Sequence, residues 1–463
     1  MKCQMKSFNL LDEGLIKHVA IFLQSLDGLM LSVVIDDCYG PSLGRKCLET
    51  HFSIEKGNRQ TTDIDRRHGY NGGVGQRPLM SALQTICAGF KRCEPEVIEF
   101  LLRFGADVRR QLDVNTKVFW GDADSTVFTA YEGCTAPHML LDALFYTGEQ
   151  ADEKRRRCLE LMLNEEYTWQ TDNRGYSVFH VAAKCGDVEL MRIAVNKAKK
   201  SAVSDYVNLR DFADGKTALY IAVESHNLPI VKLLVMEGKA LISPATEYNQ
   251  LSVLHHLLKK GNYVNIELRF REEQDVKNID RAMREMAIFL IHHSTLKDLR
   301  QEDRLGCTPL YHACASGFFE VAALMVQMGA MHAGSGGSGA HLHANPQKIG
   351  SSPAIACLRY AHRLLSELKG GGGGGDDDAP PLWESEEPSV REAVEALNLV
   401  EAMCVEANKR GKRAMAAFAK SLHLGADFQR DELRLPQLEE WPVVQALIEA
   451  LGGEGRALLS QHL

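Results

Sequence analysis

Residues 211–224 read DFADGKTALYIAVE, and two meanings compete for them. Gly215-Lys216-Thr217 is how a phosphate-binding loop ends. Such a loop needs G-x-x-x-x-G-K-[ST], because the first glycine opens the ring of backbone N–H groups that cradles phosphate. Arg210 stands where that glycine must be. The other meaning is that the stretch is one copy of something repeated, which alignment of the chain with itself tests.

Three segments align plainly: DNRGYSVFHVAAKCGDVELMRIAVNKA (172–198), FADGKTALYIAVESHNLPIVKLLVMEGKA (212–240) and DRLGCTPLYHACASGFFEVAALMVQMGA (303–330). Each has a glycine, then Ser or Thr two residues on, then an apolar-rich helix, a polar turn and a second apolar helix. Weaker copies begin at Arg77, at Gly133 and at Asn249, the last with RAMREMAIFLIHHS as its second helix. A further unit starts at Gly350, and Gly425-Ala426-Asp427 ends another.

These segments resemble the ankyrin repeat, whose pattern is roughly D-x-x-G-x-T-P-L-H-x-A-A-x-x-G, then V-x-x-L-L-x-x-G-A-D. The match rests on Asp303, Gly306, Thr308-Pro309-Leu310, Ala313, Gly317 and Gly329-Ala330. It rests also on Asp172, Gly175, His180, Ala182-Ala183 and Gly186, and on Gly215, Thr217, Leu219, Ala222, Val231 and Leu233-Leu234. Asp211 of the middle copy is one position out of register. The resemblance implies an all-α solenoid of about six or seven helix-turn-helix units with short β-hairpin-like loops.

Elementary physics agrees. Two short helices cannot bury their apolar faces alone, and stacking joins those faces into one core. Ala182, Ala183, Ala222 and Ala313 let first helices approach closely. Ser177, Thr217 and Thr308 stand where N-cap hydroxyls are wanted, and Pro309 suits a first helical turn. Gly238, Gly329 and Gly425 follow second helices, where a left-handed cap favours glycine. Phe179, Leu219, Leu254 and Leu310 are spaced 40, 35 and 56 residues apart, against a period of about 33. Insertions are therefore expected as loops at 109–132, 197–210 and 261–278.

The organisation read from the sequence has five parts. Residues 1–74 form an N-terminal cap with an amphipathic helix near 13–26 and no assigned fold. Residues 75–331 hold about five repeat units. A flexible Gly/Ser spacer covers 332–347. Degenerate units over 348–430 enclose a disordered acidic insertion, 370–389. A helical cap over 431–463 contains WPVVQALIEAL.

Composition narrows the function. The chain has 463 residues and a net charge of -8, so bulk electrostatics does not favour nucleic acid, and no direct nucleic-acid contact is expected. No run reaches the roughly 18 apolar residues of a membrane span, and no membrane insertion is expected. The twelve cysteines form no Cys-x-x-Cys pair and read as reduced, buried residues. A cytoplasmic location is expected, with the nucleus as alternative. NGGVGQRP (71–78) lacks the third glycine of a dinucleotide fingerprint. His180 and His255 fall at the family's structural histidine, so no metal site is expected, and no cofactor. No catalytic constellation is present.

The expected function is therefore non-catalytic protein binding, as a scaffold or adaptor for one or more proteins. A regulatory or targeting subunit of an enzyme complex is the alternative, and after it an enzyme whose catalytic part lies in a terminal region. The resemblance implies contacts at the hairpin tips and along the inner face of the first helices. The tip positions are Asn173, Arg174, Tyr176, Ala213, Asp214, Lys216, Arg304, Leu305 and Cys307. The inner-helix positions are Lys184, Cys185, Glu224, Ser225, Ala315 and Ser316. Of these, Arg174, Tyr176 and Arg304 are the types enriched at binding hot spots.

Overall fold

Three repeats open on an aspartate that ties a tight turn to itself. In the computed structural model, Asp172 Oδ1 accepts hydrogen bonds from the N–H groups of Arg174 and Tyr176, both at 2.9 Å. Asp303 Oδ1 does the same for Leu305 and Cys307, at 2.8 and 2.9 Å. Asp211 serves a turn one residue longer: its Oδ1 accepts from Asp214 and Lys216. The register slip in the sequence is thus a longer turn. The structure describes residues 68–69, 79–88, 93–103, 106–113, 115–119, 127–148, 151–163, 169–200, 204–259, 273–331, 353–369, 387–412, 418 and 445.

The described chain forms two bodies, Met1–Ala240 and Leu241–Leu463. In the first, helices α1 (Ala82–Ala88), α3 (Ala136–Thr147), α5 (Val178–Cys185) and α7 (Ala218–Glu224) pack one on the next. Their partners α2 (Pro95–Arg103), α4 (Glu153–Met162), α6 (Val188–Lys200) and α8 (Leu228–Met236) form a second row in the same order. In the second body the first-helix row is α9 (Val253–Leu258), α12 (Pro309–Ala315) and α14 (Pro353–Lys369). The second row is α10 (Glu273–His292), α13 (Phe319–Gln327) and α15 (Pro388–Lys409), with the short α11 (Leu296–Leu299) between α10 and α12. Six helix pairs thus lie within 82–327, where about five units are expected, and the unit expected from Gly350 supplies a seventh.

Close packing depends on the small residues. Ala182, Ala183, Ala222 and Ala313 are fully buried. Trp169 stacks on Phe179 with ring centroids 5.1 Å apart, and Phe179 is sealed from water. Burying such a ring contributes about 2–3 kcal/mol. Gly175 shows why the tips need glycine: its φ is +80°, and a Cβ there would lie 2.8 Å from the backbone nitrogen of Phe212 in the next tip. That nitrogen donates to the Arg174 carbonyl at 2.8 Å, while Asn173 N–H donates to the Glu132 carbonyl of the previous tip at 2.7 Å.

The caps behave as expected at Thr217 and Thr308, whose hydroxyls accept from Tyr220 and Tyr311 N–H, both at 3.3 Å. Pro309 begins its helix. Gly329 takes φ +85°, but after α8 the left-handed residue is Lys239, at +59°, rather than Gly238. Gly238 is needed for room instead, since a Cβ would lie 2.8 Å from the Leu234 carbonyl oxygen. The insertions are not plain loops. Strands β3 (Thr116–Phe119) and β4 (Val127–Ala130) pair antiparallel inside 109–132, as their β-branched and aromatic residues favour. A short 3-10 helix, Ser204–Asn208, lies in 197–210, and α10 already begins at Glu273 within 261–278. A two-residue pair, β1 (His68–Gly69) with β2 (Leu79–Met80), precedes α1. The helix near 13–26, the Gly/Ser spacer, the acidic insertion up to residue 386, Gly425 and, apart from residue 445, the terminal WPVVQALIEAL lie outside the described residues. So does nearly all of 1–74. The end of the expected insertion is not disordered, since α15 already begins at Pro388.

Four repeats are joined to the next by the side chain three residues after the cap. His180 Nδ1 accepts from Ser177 N–H at 3.1 Å, so Nε2 carries the proton, and it reaches the Lys216 carbonyl of the next repeat at 3.1 Å. His138 links Thr135 to the Tyr176 carbonyl, and His255 links Ser252 to the Cys307 carbonyl, in the same way. In the first repeat Gln84 does this work. Its Oε1 accepts from Ser81 N–H at 2.9 Å, and its Nε2 donates to the Cys134 carbonyl at 3.1 Å.

Burial pulls His138 and His255 down to about 4, and lowers His180 as well. A folded-state value below the unfolded one means stability held above about pH 6.5 and lost as pH falls toward 4, by about 3 kcal/mol for each of His138 and His255. Gln84 shows how to remove that sensitivity while keeping the bond. His138→Gln and His255→Gln are expected to stay within about 1 kcal/mol of the parent at pH 7. Both are expected to lose less stability than the parent at pH 4.5. Urea unfolding followed by circular dichroism at the two pH values measures this; equal acid losses in parent and variants would refute it.

Candidate functional site

The expected tip residues of the first body meet a cluster from the preceding helix pair. Arg174 is not a free surface cation. Its Nε and Nη2 lie 2.7 and 2.6 Å from Asp172 Oδ2, and its side chain is 18% exposed. Its guanidinium lies 3.7 Å from the ring centre of Tyr131 and 4.5 Å from that of Tyr176. Tyr176 in turn stacks on His180 at 5.4 Å. Arg174 therefore holds the turn as much as it presents itself.

Behind it lies Asp142 of α3, which is buried and whose carboxylate oxygens accept no hydrogen bond among the described residues. Arg174 Nη2 approaches Asp142 Oδ2 at 3.6 Å, too long for a hydrogen bond. Burial pushes Asp142 up to about 6, against the pull of Arg174 and Lys184. Lys184 of α5 stands 4.3 Å from the ring centre of Phe145 and 5.5 Å from that of Tyr146, and burial lowers its pKa. Arg174, Tyr176 and Lys184 thus form one aromatic and cationic cluster, half-buried, around a carboxylate that water does not reach.

The other candidates of this body divide. Lys216 bridges Glu224, at 2.8 Å, and Asp214, at 3.3 Å, so three candidates are knitted into one ion-pair group. Asn173, Ala213 and Ser225 are exposed, and Cys185 is half-buried. Beside them stands Phe212, 68% exposed, in the turn lengthened by one residue. It is absent from the sequence-based candidates. The one-residue slip of Asp211 is the signal that marks it.

In the second body Arg304 and Leu305 are exposed at the tip. Arg304 lies 5.2 Å from the ring centre of Tyr248, whose carbonyl accepts from Nη1 at 3.3 Å. Tyr248 is 71% exposed and Leu305 46%. Ala315 is exposed and Ser316 half-buried on the first-helix row. Cys307 does not belong with them: it is 5% exposed because its backbone pairs inward, its N–H to Asp303 and its carbonyl to His255. Among the described residues the cysteines form no disulfide and are buried, Cys185 being half-buried. Among the described residues no helix is long and apolar enough to cross a membrane.

Removing the two charges of the buried cluster separates their roles. Arg174→Ala leaves two buried carboxylates without their cation and is expected to cost about 3 kcal/mol. Asp142→Asn is expected to stabilise the chain at pH 7 by about 2 kcal/mol, because ionised Asp142 is disfavoured there. A carboxyl whose folded value is raised contributes stability below its unfolded pKa, near 4, that is lost as pH rises through about 6. The gain of Asp142→Asn over the parent should therefore shrink between pH 7 and pH 4.5. Urea denaturation at both pH values measures it, and a gain independent of pH would refute it.

A family description, ankyrin repeats in three copies, matches residues 150–244. The chain is 25% identical over 178 residues to a probable 26S proteasome regulatory subunit p28 of Saccharomyces cerevisiae, covering 38% of this chain and 65% of that protein. It is 26% identical over 154 residues to the nuclear factor NF-kappa-B p105 subunit of Gallus gallus, covering 24% of this chain and 16% of the relative. The chain thus spans less than two thirds of each of these relatives. The ankyrin repeat domain of Bcl-3, among solved structures, aligns with a TM-score of 0.36 at 15% identity, covering 56% of this chain and 88% of that one. With the aspartate turns, capped helix pairs and histidine links described above, the chain contains ankyrin repeats, matched over residues 150–244.

Proposed function

We propose that the chain is a non-catalytic scaffold or adaptor that binds other proteins through its hairpin tips. The observation that carries this is the exposure of large side chains where the turns project: Phe212 at 68%, Tyr248 at 71% and Leu305 at 46%, the last two beside Arg304. Scattered exposed apolar residues are ordinary. Here an aromatic ring, a leucine and an arginine adjoin at one tip, the side-chain types that anchor protein interfaces. The net charge of -8 argues against nucleic acid as the direct partner. A cytoplasmic site of action, with the nucleus as alternative, goes with this reading.

The likeness to a probable proteasome regulatory subunit supports a second reading, in which the repeats dock a regulatory subunit onto an enzyme complex. Both readings use the same surface. They differ in whether the co-purifying proteins include one with enzymatic activity that the chain changes.

The test is affinity enrichment of the tagged full chain with quantitative mass spectrometry, against a Phe212→Ser, Tyr248→Ala, Arg304→Ala variant. These side chains sit in water, so the variant should melt within a few degrees of the parent. Specific partners are expected to fall at least tenfold. Unchanged recovery by a folded variant would remove the tips as the binding surface.

A further inference from the structure

The tip of the second body holds a buried cluster beneath its exposed side chains. A carboxylate oxygen of Asp303, the Cys307 sulfur and a ring nitrogen of His312 all lie within 4.8 Å of one another. All three residues are buried, at 5%, 5% and 6% exposure. From these donors we infer that Asp303, Cys307 and His312 form a zinc-binding site.

Comparison among the repeats makes the placement specific. His312 stands four residues after its cap, one beyond the position that links repeats, which Tyr311 fills here. In the three repeats of the first body that open on Thr135, Ser177 and Thr217, the equivalent residues are Met139, Val181 and Ile221, all buried and apolar. A buried imidazole there departs from the requirement of the stack. It points to Asp303 Oδ2, with Nε2 at 2.9 Å. Cys307 occupies the residue before the cap, where two of those repeats carry the half-buried Tyr176 and Lys216. Of these four repeats, only this one unites all three donor types.

The chemistry suits zinc over harder cations. Thiolate and imidazole favour zinc, whereas magnesium and calcium take oxygen donors. Zinc bonds run about 2.0–2.3 Å, so tetrahedral donors stand roughly 3.3–3.8 Å apart, and the trio closes on a metal with small movements. Carboxylate, thiolate and neutral imidazole carry two negative charges, which the metal cancels. A neutral assembly is far less costly to bury than separated charges. Asp303 Oδ1 stays with the turn while Oδ2 turns to the metal. His312 coordinates through Nε2, so the proton that Nε2 donates to Asp303 without metal leaves to solvent while Nδ1 takes one up, and the ring stays neutral. The Cys307 thiol releases its proton to solvent, and water fills the fourth position.

The experiment uses the untagged full chain with His341 and His343 of the spacer replaced by Asn, to remove adventitious binding. Zinc is titrated in competition with a chromophoric chelator, and metal content is measured after gel filtration. One zinc per chain is expected, with affinity rising as pH rises because a proton is released. Cobalt is expected to give the near-ultraviolet charge-transfer band of thiolate ligation. Cys307→Ala and His312→Val should each lower zinc affinity at least a hundredfold, and Cys307→Ala should abolish the band. His312→Val restores the residue type of the first body, so it should fold even where Cys307→Ala does not. A parent chain that retains no zinc, or a His312→Val variant that retains as much, would overturn the site and leave a buried Asp–His hydrogen bond.

Discussion

The hydrogen bond from one repeat's first helix to the next repeat's turn is the constraint on which the stack depends. Each turn buries a backbone carbonyl just before the cap: Cys134, Tyr176, Lys216 and Cys307. Each already accepts one backbone N–H: Leu112 donates to Cys134, Asp172 to Tyr176, Asp211 to Lys216 and Asp303 to Cys307. The second donor comes from the preceding repeat, through a side chain that must also accept from its own cap. Only a group with an acceptor and a donor at opposite ends can do both. Neutral histidine meets this in three repeats and glutamine in one. The requirement reaches further, because the ring spans the gap only when first helices approach closely, which the buried alanines permit.

This explains what was legible in the chain and what was not. Capped helices, turn aspartates and alanine-rich first helices follow a local pattern, and the copies at 172, 212 and 303 display it openly. Gln84 hid because the pattern names histidine there, while physics asks only for an acceptor and a donor. The spacing Ser81-x-x-Gln84, a capping-box arrangement, was the available clue. That Arg174 is half-buried at its tip was not legible, because Asp142 and Tyr131, which belong to another repeat, close around it beside its own Asp172. Cys307 was misplaced for a related reason, since burial at a tip depends on the neighbour's His255. Periodicity tells where a residue sits within a repeat. It does not tell what the adjoining repeat places against it.

Phe212 illustrates the opposite case, a departure that the pattern could have revealed. The turn from Asp211 to its cap is one residue longer than those from Asp172 and Asp303. The longer turn still closes on Asp211 Oδ1, now three and five residues on rather than two and four. Backbone pairing with the Arg174 carbonyl holds Phe212 in place, yet its ring stays largely in water. A single inserted residue thus adds an apolar contact without disturbing the helices on either side.

The turn aspartates show how repeats built to one plan become different from one another. Holding the turn occupies only Oδ1. In the repeat at Asp172, Oδ2 takes the Arg174 guanidinium, which closes over two tyrosine rings and approaches a second buried carboxylate. In the repeat at Asp303, Oδ2 takes the His312 imidazole beside a buried thiol. The backbone plan is the same, because the turn itself uses only Oδ1. One oxygen satisfies the fold, and the other is left to the chemistry that each sequence brings to it.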